Sequence, residues 1–191
     1  MKPTPALDLA IVISLLRGVN VGGHNQIKMD ALRALYEALG LEDPQTYVQS
    51  GNVVFRTKER NLAGLAGRIE NAIERKLGFR PGVVLRTAAD LKDVVANNPF
   101  AQRRGIEPGK LAVVFFNEPP AKETCDEVLQ AKAEGEEVQI RGREFYIYFP
   151  NGMGQSKLFA AIGRKLKSGT ARNWNTVTKL LEMANKLEVG L

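Results

Sequence analysis

The fold of this chain is decided by the stretch Thr46-Tyr47-Val48-Gln49-Ser50-Gly51-Asn52-Val53-Val54-Phe55. Short strand-forming runs flank Ser50-Gly51, and this pattern predicts a β-hairpin. Apolar residues recur at helical spacing before the hairpin, over residues 29–39, and after it, over residues 62–77. Two further apolar runs, 9–16 and 83–86, predict strands at either end of this region. Residues 7–87 therefore have the order βαββαβ, which is ferredoxin-like.

The second half of the chain repeats most of this order. Its patterns predict strands at 111–116, 137–140 and 144–149, and helices at 122–132 and 155–166. A helix over 174–187 is expected to replace the last strand. The predicted fold class is α+β, with two linked plait-like halves, 1–98 and 99–191. The first is ferredoxin-like (βαββαβ), and the second is βαββα plus a C-terminal helix.

Composition places the chain among ordinary globular proteins. It has 191 residues, of which 44% are hydrophobic and 25% are charged. Its single cysteine, Cys125, excludes an intramolecular disulfide, so a reducing cytoplasmic location is expected. The first eight residues have no secretory pattern, and the apolar run 9–16 is too short to span a bilayer. No membrane association is predicted.

Two polar bends are the strongest indication of a functional site. The first contains Arg17, Asn20, Gly22 and Gly23, and the second contains Gln49, Ser50 and Asn52. If the first two strands run in the same direction, their C-terminal ends lie at the same end of the sheet. The two bends are then neighbours, and their amide, hydroxyl and guanidinium groups can converge on a ligand.

Each bend also has a purely structural interpretation. The glycines in Gly18-x-Asn20-x-Gly22-Gly23 lack the dinucleotide-binding spacing and can simply provide a turn with positive φ. Ser50 and Asn52 can form hydrogen bonds with the backbone of their own hairpin. Arg17 can bind a carboxylate or phosphate, or can pair with an acid such as Asp30.

The C-terminal segment is basic. Residues 151–191 hold seven basic and two acidic residues, within a formal net charge of +6 for the chain. Candidate anion contacts are Ser156 and Lys157 in a glycine-containing loop, and Arg172 and Lys179 at a predicted helix that Thr170 or Asn173 can cap. The loop lacks the Walker spacing, and Ser156 can be a helix cap. A basic patch can attract phosphate or nucleic acid, but a solvated helical surface has the same composition.

Other chemistry has little support in the sequence. His24 is the single histidine, so a zinc site built from histidine and Cys125 would have one ligand of each kind. No nucleophile-and-base arrangement is visible. Catalytic residues, cofactors and metals are all predicted to be absent, and the sequence favours a protein that is not an enzyme without deciding the question. The strand 145–149 faintly resembles the base-stacking strand of RNA-recognition motifs.

Several blocks of this sequence together resemble a bacterial family called domain of unknown function 1697. The blocks are Leu15–Gly23, Thr46–Val53, Asn98-Pro99-Phe100, Gly154–Leu158 and Thr170–Val177. The resemblance covers nearly the whole chain. It implies two linked α+β plaits, the first of them ferredoxin-like, and it brings no established activity, cofactor or catalytic residue.

The sequence supports three functional hypotheses. The preferred one is a binding protein for a phosphorylated or otherwise anionic ligand, with nucleotide or nucleic acid among the candidates. The alternatives are a small-molecule enzyme with bends 17–25 and 49–52 as its active-site rim, and a structural or interaction protein without a ligand. The sequence does not indicate the oligomeric state.

Overall fold

The computed structural model describes residues 9–131 and 134–190. Predictions for residues 1–8, including the start of the first strand at residue 7, and for the helix end at Lys132 lie outside the described residues. The elements of the first half are β1 (Ala10–Arg17), α1 (Met29–Ala38), β2 (Glu42–Tyr47), β3 (Asn52–Thr57), α2 (Leu62–Leu77), β4 (Gly82–Thr87) and α3 (Ala88–Ala96). Those of the second half are β5 (Leu111–Phe115), α4 (Lys122–Gln130), β6 (Glu137–Arg141), β7 (Glu144–Tyr148), α5 (Lys157–Ile162), β8 (Thr170–Asn173) and α6 (Trp174–Glu188).

The first half forms a four-stranded antiparallel sheet with the strand order β2-β3-β1-β4. Strand β1 pairs antiparallel with β3 and with β4, and β2 pairs antiparallel with β3. Strands β1 and β2 therefore run in the same direction, which is the condition on which the two polar bends were expected to be neighbours. Strand β2 includes Pro44 and begins earlier than the predicted residue 46, because an edge strand tolerates a missing backbone donor.

The second half forms another antiparallel sheet, with the order β6-β7-β5-β8. The prediction that a helix replaces its last strand was wrong. Thr170–Asn173 forms β8, which pairs with β5 through Val113 and Arg172, and α6 follows it. Four residues of mixed polarity give almost no strand signal on their own. Pairing with the buried strand β5 determines their conformation.

The predicted helix over 155–166 is shorter in the structure. Met153–Gln155 forms a 3₁₀ helix and α5 covers Lys157–Ile162, with turns after it. Leu158, Ile162 and Leu166 are nevertheless buried in one hydrophobic cluster. The apolar spacing therefore identified the buried face correctly but not the length of the helix.

Each sheet has its own hydrophobic core. In the first, Val12, Leu16 and Phe55 pack with residues of α1 and α2 such as Tyr36 and Ile69. In the second, Val114, Phe145 and Ile147 pack with Val128 and Leu158. Strand β1 is buried on both faces, since Ile13 and Leu15 on its other face are at most 1% exposed. This confirms the interpretation of its continuous apolar run.

Packing divides the chain into two compact units. Of the described residues, those up to 89 and from 182 onward form one unit, and those from 90 to 181 form the other. Helices α3 and α6 thus each begin in the unit of the strand before them and continue into the other unit. Within the described residues, no helix has the length and apolar character needed to cross a bilayer.

Candidate functional site

The bend after β1 and the turn between β2 and β3 are directly bonded to each other. The backbone N–H of Leu16 donates to the carbonyl of Gly51 at 2.9 Å, and Asn20 Nδ2 donates to the carbonyl of Gln49 at 2.6 Å. The prediction that the two polar bends are neighbours is confirmed. It follows from the common direction of β1 and β2.

Asn20 holds the first bend closed. Its Nδ2 also donates to the carbonyl of Ile27 at 3.0 Å, and its Oδ1 accepts the backbone N–H of Ile27 at 2.8 Å. Its φ of 54° lies in the left-handed region, which asparagine tolerates better than most residues. Asn25 adds a bond from Nδ2 to the carbonyl of Gly18 at 2.9 Å. The bend is therefore a closed loop whose two ends meet at Asn20.

A cleft of about 780 Å³ opens beside these bends. The residues that line it are Asn20, Gly23, Gln26, Ile27, Lys28, Met29, Asp30 and Gln49. Ile27 is buried and Met29 is half-buried, so they give the cleft an apolar part. Gln26, Lys28 and Gln49 are exposed and give it amide and ammonium groups. Small-molecule sites usually combine an apolar lining with a few polar groups. In this cleft the polar side chains outnumber the two apolar ones.

Two charged residues, Lys28 and Asp30, line the cleft. The carboxylate of Asp30 forms an ion pair with Arg33, whose Nη1 also donates to Thr46 Oγ1 at 2.6 Å. Asp30 is thereby balanced by a cation on its own helix. Lys28 precedes the first turn of α1, and a lysine side chain has no acceptor with which to cap that turn. The positive end of the α1 dipole and the Lys28 ammonium therefore have the same sign.

Arg17 is not among the residues that line the cleft. It pairs across strands with Gly82 on the edge strand β4, and a Cβ built on Gly82 would lie 3.2 Å from Arg17 Nε. The arginine side chain therefore lies over this glycine. Asp30, proposed as its structural partner, pairs with Arg33 instead.

The two glycines of the first bend and Asn52 of the second bend differ in whether they line the cleft. Gly23 lines the cleft, whereas Gly22 lies next to His24, whose Cδ2 would be 4.0 Å from an added Cβ. Asn52 is fully buried, and its Nδ2 donates to the carbonyl of Tyr47 and to Ser50 Oγ, both at 2.9 Å. The structural interpretation of Asn52 as a brace of its own hairpin is confirmed.

Ser156 and Lys157 contact carboxylates. Ser156 Oγ donates to Glu136 Oε1 at 2.7 Å, and Lys157 Nζ lies 2.8 Å from Glu134 Oε1. The Ser156 hydrogen bond lowers the pKa of Glu136, and the Glu134 hydrogen bond raises that of Lys157. An anion at this loop would meet two carboxylates. The role of these two residues as ligand contacts stays a prediction.

Arg172 and Lys179 lie in different elements. Arg172 is on β8 and 7% exposed, and its Nη1 donates to Thr170 Oγ1 at 2.8 Å and to the carbonyl of Ala171 at 2.9 Å. Burial lowers its pKa to about 10, so it stays charged at neutral pH. Lys179 is half-buried on α6. Of the two predicted caps of this helix, Asn173 is the one that accepts, from the backbone N–H of Thr176 at 2.8 Å.

The aromatic strand β7 is not an open stacking platform. Tyr146 is 1% exposed, and its hydroxyl donates to the carbonyl of Val94 at 2.8 Å. Tyr148 lies under the guanidinium of Arg103, 5.4 Å from its ring centroid, and beside Phe100. Both tyrosines are therefore engaged within their own unit. The similarity to the RNA-recognition strand does not extend to exposed rings.

The sequence prediction missed Gln26 and Lys28. A signal for them was present, since the helical pattern that begins at Met29 places residues 26–28 just before a helix N-terminus. Whether such residues line a cleft depends on the position of Gln49, which is 21 residues or more away in sequence. Among the described residues, no group of three or more histidine, cysteine or carboxylate side chains is placed to hold a metal ion.

Comparison with known proteins gives a fold and a family. The conserved bacterial protein SP0830 from Streptococcus pneumoniae has a similar structure, with a TM-score of 0.73 and 22% sequence identity over 93% of this chain and 99% of that chain. No curated protein matches this chain. The family model described as protein of unknown function (DUF1697) matches residues 9–146. Because this match covers most of the 191 residues, the chain belongs to the DUF1697 family.

Proposed function

We propose that this protein binds a small phosphorylated or otherwise anionic molecule in the cleft between the bend that follows β1 and the β2–β3 turn. The observation that carries the proposal is the cleft itself, which has Lys28, Gln26 and Gln49 around an apolar part formed by Ile27 and Met29. Of the residues predicted from the sequence, Asn20, Gly23 and Gln49 belong to this site. We assign Lys28 the anionic group of the ligand.

The size of the cleft supports a small ligand. A volume of about 780 Å³ lies within the usual range of roughly 300–1,000 Å³ for small-molecule sites. The apolar part suits a sugar or base, while the ammonium and the two amides suit a phosphate and its neighbouring hydroxyl groups. A phosphorylated sugar or a nucleotide combines these features.

Ion pairs in the basic C-terminal segment favour this ligand over nucleic acid. Lys157 pairs with Glu134, Lys165 with Glu127, and Lys186 with Glu182. A paired ammonium is less available to phosphates than a free one. The solvated-surface interpretation of this segment therefore suits these contacts better than an extended nucleic-acid interface.

A thermal-shift titration tests the proposal. Inorganic phosphate, a nucleoside monophosphate and a hexose phosphate are added separately, and a ligand specific for the native state raises Tm by mass action. Lys28→Gln is expected to weaken binding of the active probe by about tenfold, because it removes one charge-assisted contact. Lys58→Gln is the matched control, since Lys58 is exposed in the same half but does not line the cleft.

Two outcomes would overturn the proposal. One is that none of the three probes changes Tm when its concentration is raised in tenfold steps to about 10 mM. Even a site with a millimolar Kd is mostly occupied at that concentration. The other is that Lys28→Gln and Lys58→Gln lower the affinity equally, since binding would then depend on the overall charge.

The same cleft favours a second candidate function, a small-molecule enzyme. Concavity and an apolar part are the features that this hypothesis predicts for the region between the two bends. It would require turnover of a bound probe, which chromatography of the titrated samples detects directly. If every bound probe is recovered unchanged, the enzyme hypothesis is rejected and the binding function stands.

The strand orders also support a proposal about fold type. In each sheet the first strand is central, between the third and the fourth strands. We therefore propose that both halves are ferredoxin-like plaits and that the second is a complete one, since it includes β8.

A further inference from the structure

We propose that strand β6 is a homodimerisation edge, at which two copies of the chain join their second sheets through antiparallel β6–β6 pairing. Strand β6 lies at one end of the sheet order β6-β7-β5-β8, and within the described residues it pairs with β7 alone. Its sequence, Glu137-Val138-Gln139-Ile140-Arg141, is complementary to itself when reversed.

The proposed register has Gln139 opposite Gln139 of the second copy. Glu137 then lies opposite Arg141 of the other copy, and Val138 opposite Ile140. A two-fold axis repeats each of these pairs, so the interface has two opposite-charge pairs and two β-branched pairs. Cross-strand pairs of both kinds stabilise sheets. Charge complementarity therefore selects a second copy of this chain as the partner.

The backbone of β6 is oriented for this register. Gly142 and Arg143 form a two-residue hairpin loop, with φ of 58° at Gly142, so the flanking pair Arg141–Glu144 is hydrogen-bonded. Antiparallel pairs alternate, and the N–H and C=O groups of Val138 and Ile140 therefore point away from β7. In the proposed register these two residues face each other across the axis, where outward-pointing groups must meet. The Ile140 carbonyl accepts from Arg141 Nη1 at 3.0 Å, and its second lone pair can accept the N–H of the second copy.

The exposure of the β6 side chains supports pairing, because apolar surface on this strand is still accessible to solvent. Val138 and Ile140 pack against the core of the second half but are only half-buried. Gln139 and Arg141 are exposed on the other face. A second β6 would cover the remaining apolar surface of Val138 and Ile140.

Two of the three other edge strands, β2 and β8, are less suited to pairing. Strand β2 contains Pro44, has a register shift between Glu42 and Gln45, and has φ of 51° at Asp43. Prolines and bulges are common devices that protect an edge strand. Strand β8 is four residues long. Strand β6 has a regular register with β7 over all five of its residues.

Charge reversal tests the proposed register. Glu137→Arg alone places arginine opposite arginine, and Arg141→Glu alone places glutamate opposite glutamate, so each single variant is expected to dimerise about tenfold or more weakly than the wild type. An equimolar mixture of the two variants restores both opposite-charge pairs. Arg104→Glu changes the net charge by the same amount as Arg141→Glu, at an exposed site outside the sheets, and serves as its control.

Sedimentation equilibrium from 20 µM to 1 mM provides the measurement. Two five-residue strands bury less area than a standard stable interface, so we expect a weak dimer that forms across roughly this concentration range. The wild type and Arg104→Glu should rise from the 21.0 kDa monomer towards twice that mass, both single variants should stay lower, and their mixture should recover. A wild type that stays monomeric, or single variants that dimerise as it does, would overturn the proposal.

Amide exchange provides a second test that needs no variant, which matters because Glu137 also pairs with Arg103 in the same chain. The N–H groups of Val138 and Ile140 should exchange more slowly at 1 mM than at 20 µM, whereas that of Gln139, which points to β7, should change less. Equal exchange at both concentrations would contradict the proposed pairing.

Discussion

At the residue scale, two small residues keep the bends together. Asn20 bonds to Gln49 of the second bend and to both backbone groups of Ile27, and a single amide side chain can do this because it has two donors and an acceptor. Gly51 allows the backbones to approach, since a Cβ there would lie 2.6 Å from Val19 Cγ2 and 2.8 Å from Leu16 Cβ. Both residues therefore hold the first bend against the second.

Gly51→Ala should therefore destabilise the protein more than a matched glycine substitution. Its φ of +74° costs alanine about 1–2 kcal/mol. Overpacking against Val19 and Leu16 adds about 1–3 kcal/mol. Gly18→Ala is the control, because Gly18 has φ of +72° but no heavy atom within 4 Å of its added Cβ. Urea unfolding measures both losses in unfolding free energy, and equal losses would show that Val19 and Leu16 do not pack tightly against Gly51.

At the element scale, the last strand of each sheet has the same construction. Arg86 on β4 lies opposite Ile13, and Arg172 on β8 lies opposite Val113. Both arginines are buried, and each is followed by one polar residue before a helix begins. The sequence showed no such repeat because the other residues of these strands differ. The strand pairings show that Arg86 and Arg172 occupy equivalent positions, each opposite a buried residue of the central strand of its sheet.

The hydrogen bond that joins α3 to β7 of the second sheet should make the stability of the protein fall at high pH. Tyr146 donates to the carbonyl of Val94 on α3, and burial raises the pKa of Tyr146 to about 12, from about 10 in an unfolded chain. Its contribution is therefore complete below pH 10 and is lost as pH rises from 10 through 12, a loss of about 3 kcal/mol. Burial also raises the pKa of Tyr36, which acts in the same direction.

Tyr146→Phe separates these contributions. It should lower the unfolding free energy by about 1 kcal/mol at pH 7, because one hydrogen bond is lost. Between pH 10 and 12 the variant should lose less stability than the wild type, with the remaining slope due to Tyr36 and other groups. Chemical unfolding at each pH is the measurement, and identical slopes for the two proteins would contradict the assignment.

At the scale of the whole molecule, the formal net charge of +6 does not describe the surface that a ligand meets. Acidic residues from earlier in the chain, Glu127 and Glu134, pair with lysines of the C-terminal segment, and Glu182 pairs with Lys186 within α6. A segment that looks strongly basic in sequence is thus partly neutralised in the fold.

Removing these acids should expose the basic surface. The triple variant Glu127→Gln, Glu134→Gln and Glu182→Gln adds three to the net charge and releases Lys165, Lys157 and Lys186. It should bind a 20-nucleotide single-stranded DNA more tightly than the wild type does, with a steeper loss of affinity as salt rises. Fluorescence anisotropy at several salt concentrations measures both effects. If the wild type already binds as tightly with the same salt slope, the ion pairs do not limit binding.

The sequence by itself determined the elements and their order in the first half, because apolar periodicity is a local property. It also predicted that the two polar bends are neighbours, on the condition that the first two strands run in the same direction, and the strand pairings meet that condition. The sequence alone did not predict strand β8 or the short length of helix α5. Their conformations depend on partners such as β5 that lie far away in sequence.

Only the tertiary structure decided which polar side chains face a cleft. Asn20, Asn52 and Arg17 have similar signals in the sequence, yet one ties two bends together, one is buried in its hairpin and one lies over Gly82. A side chain's role depends on which groups lie within about 3 Å of it, a typical hydrogen-bond distance. That distance is set by the packing of distant segments, which no local pattern contains.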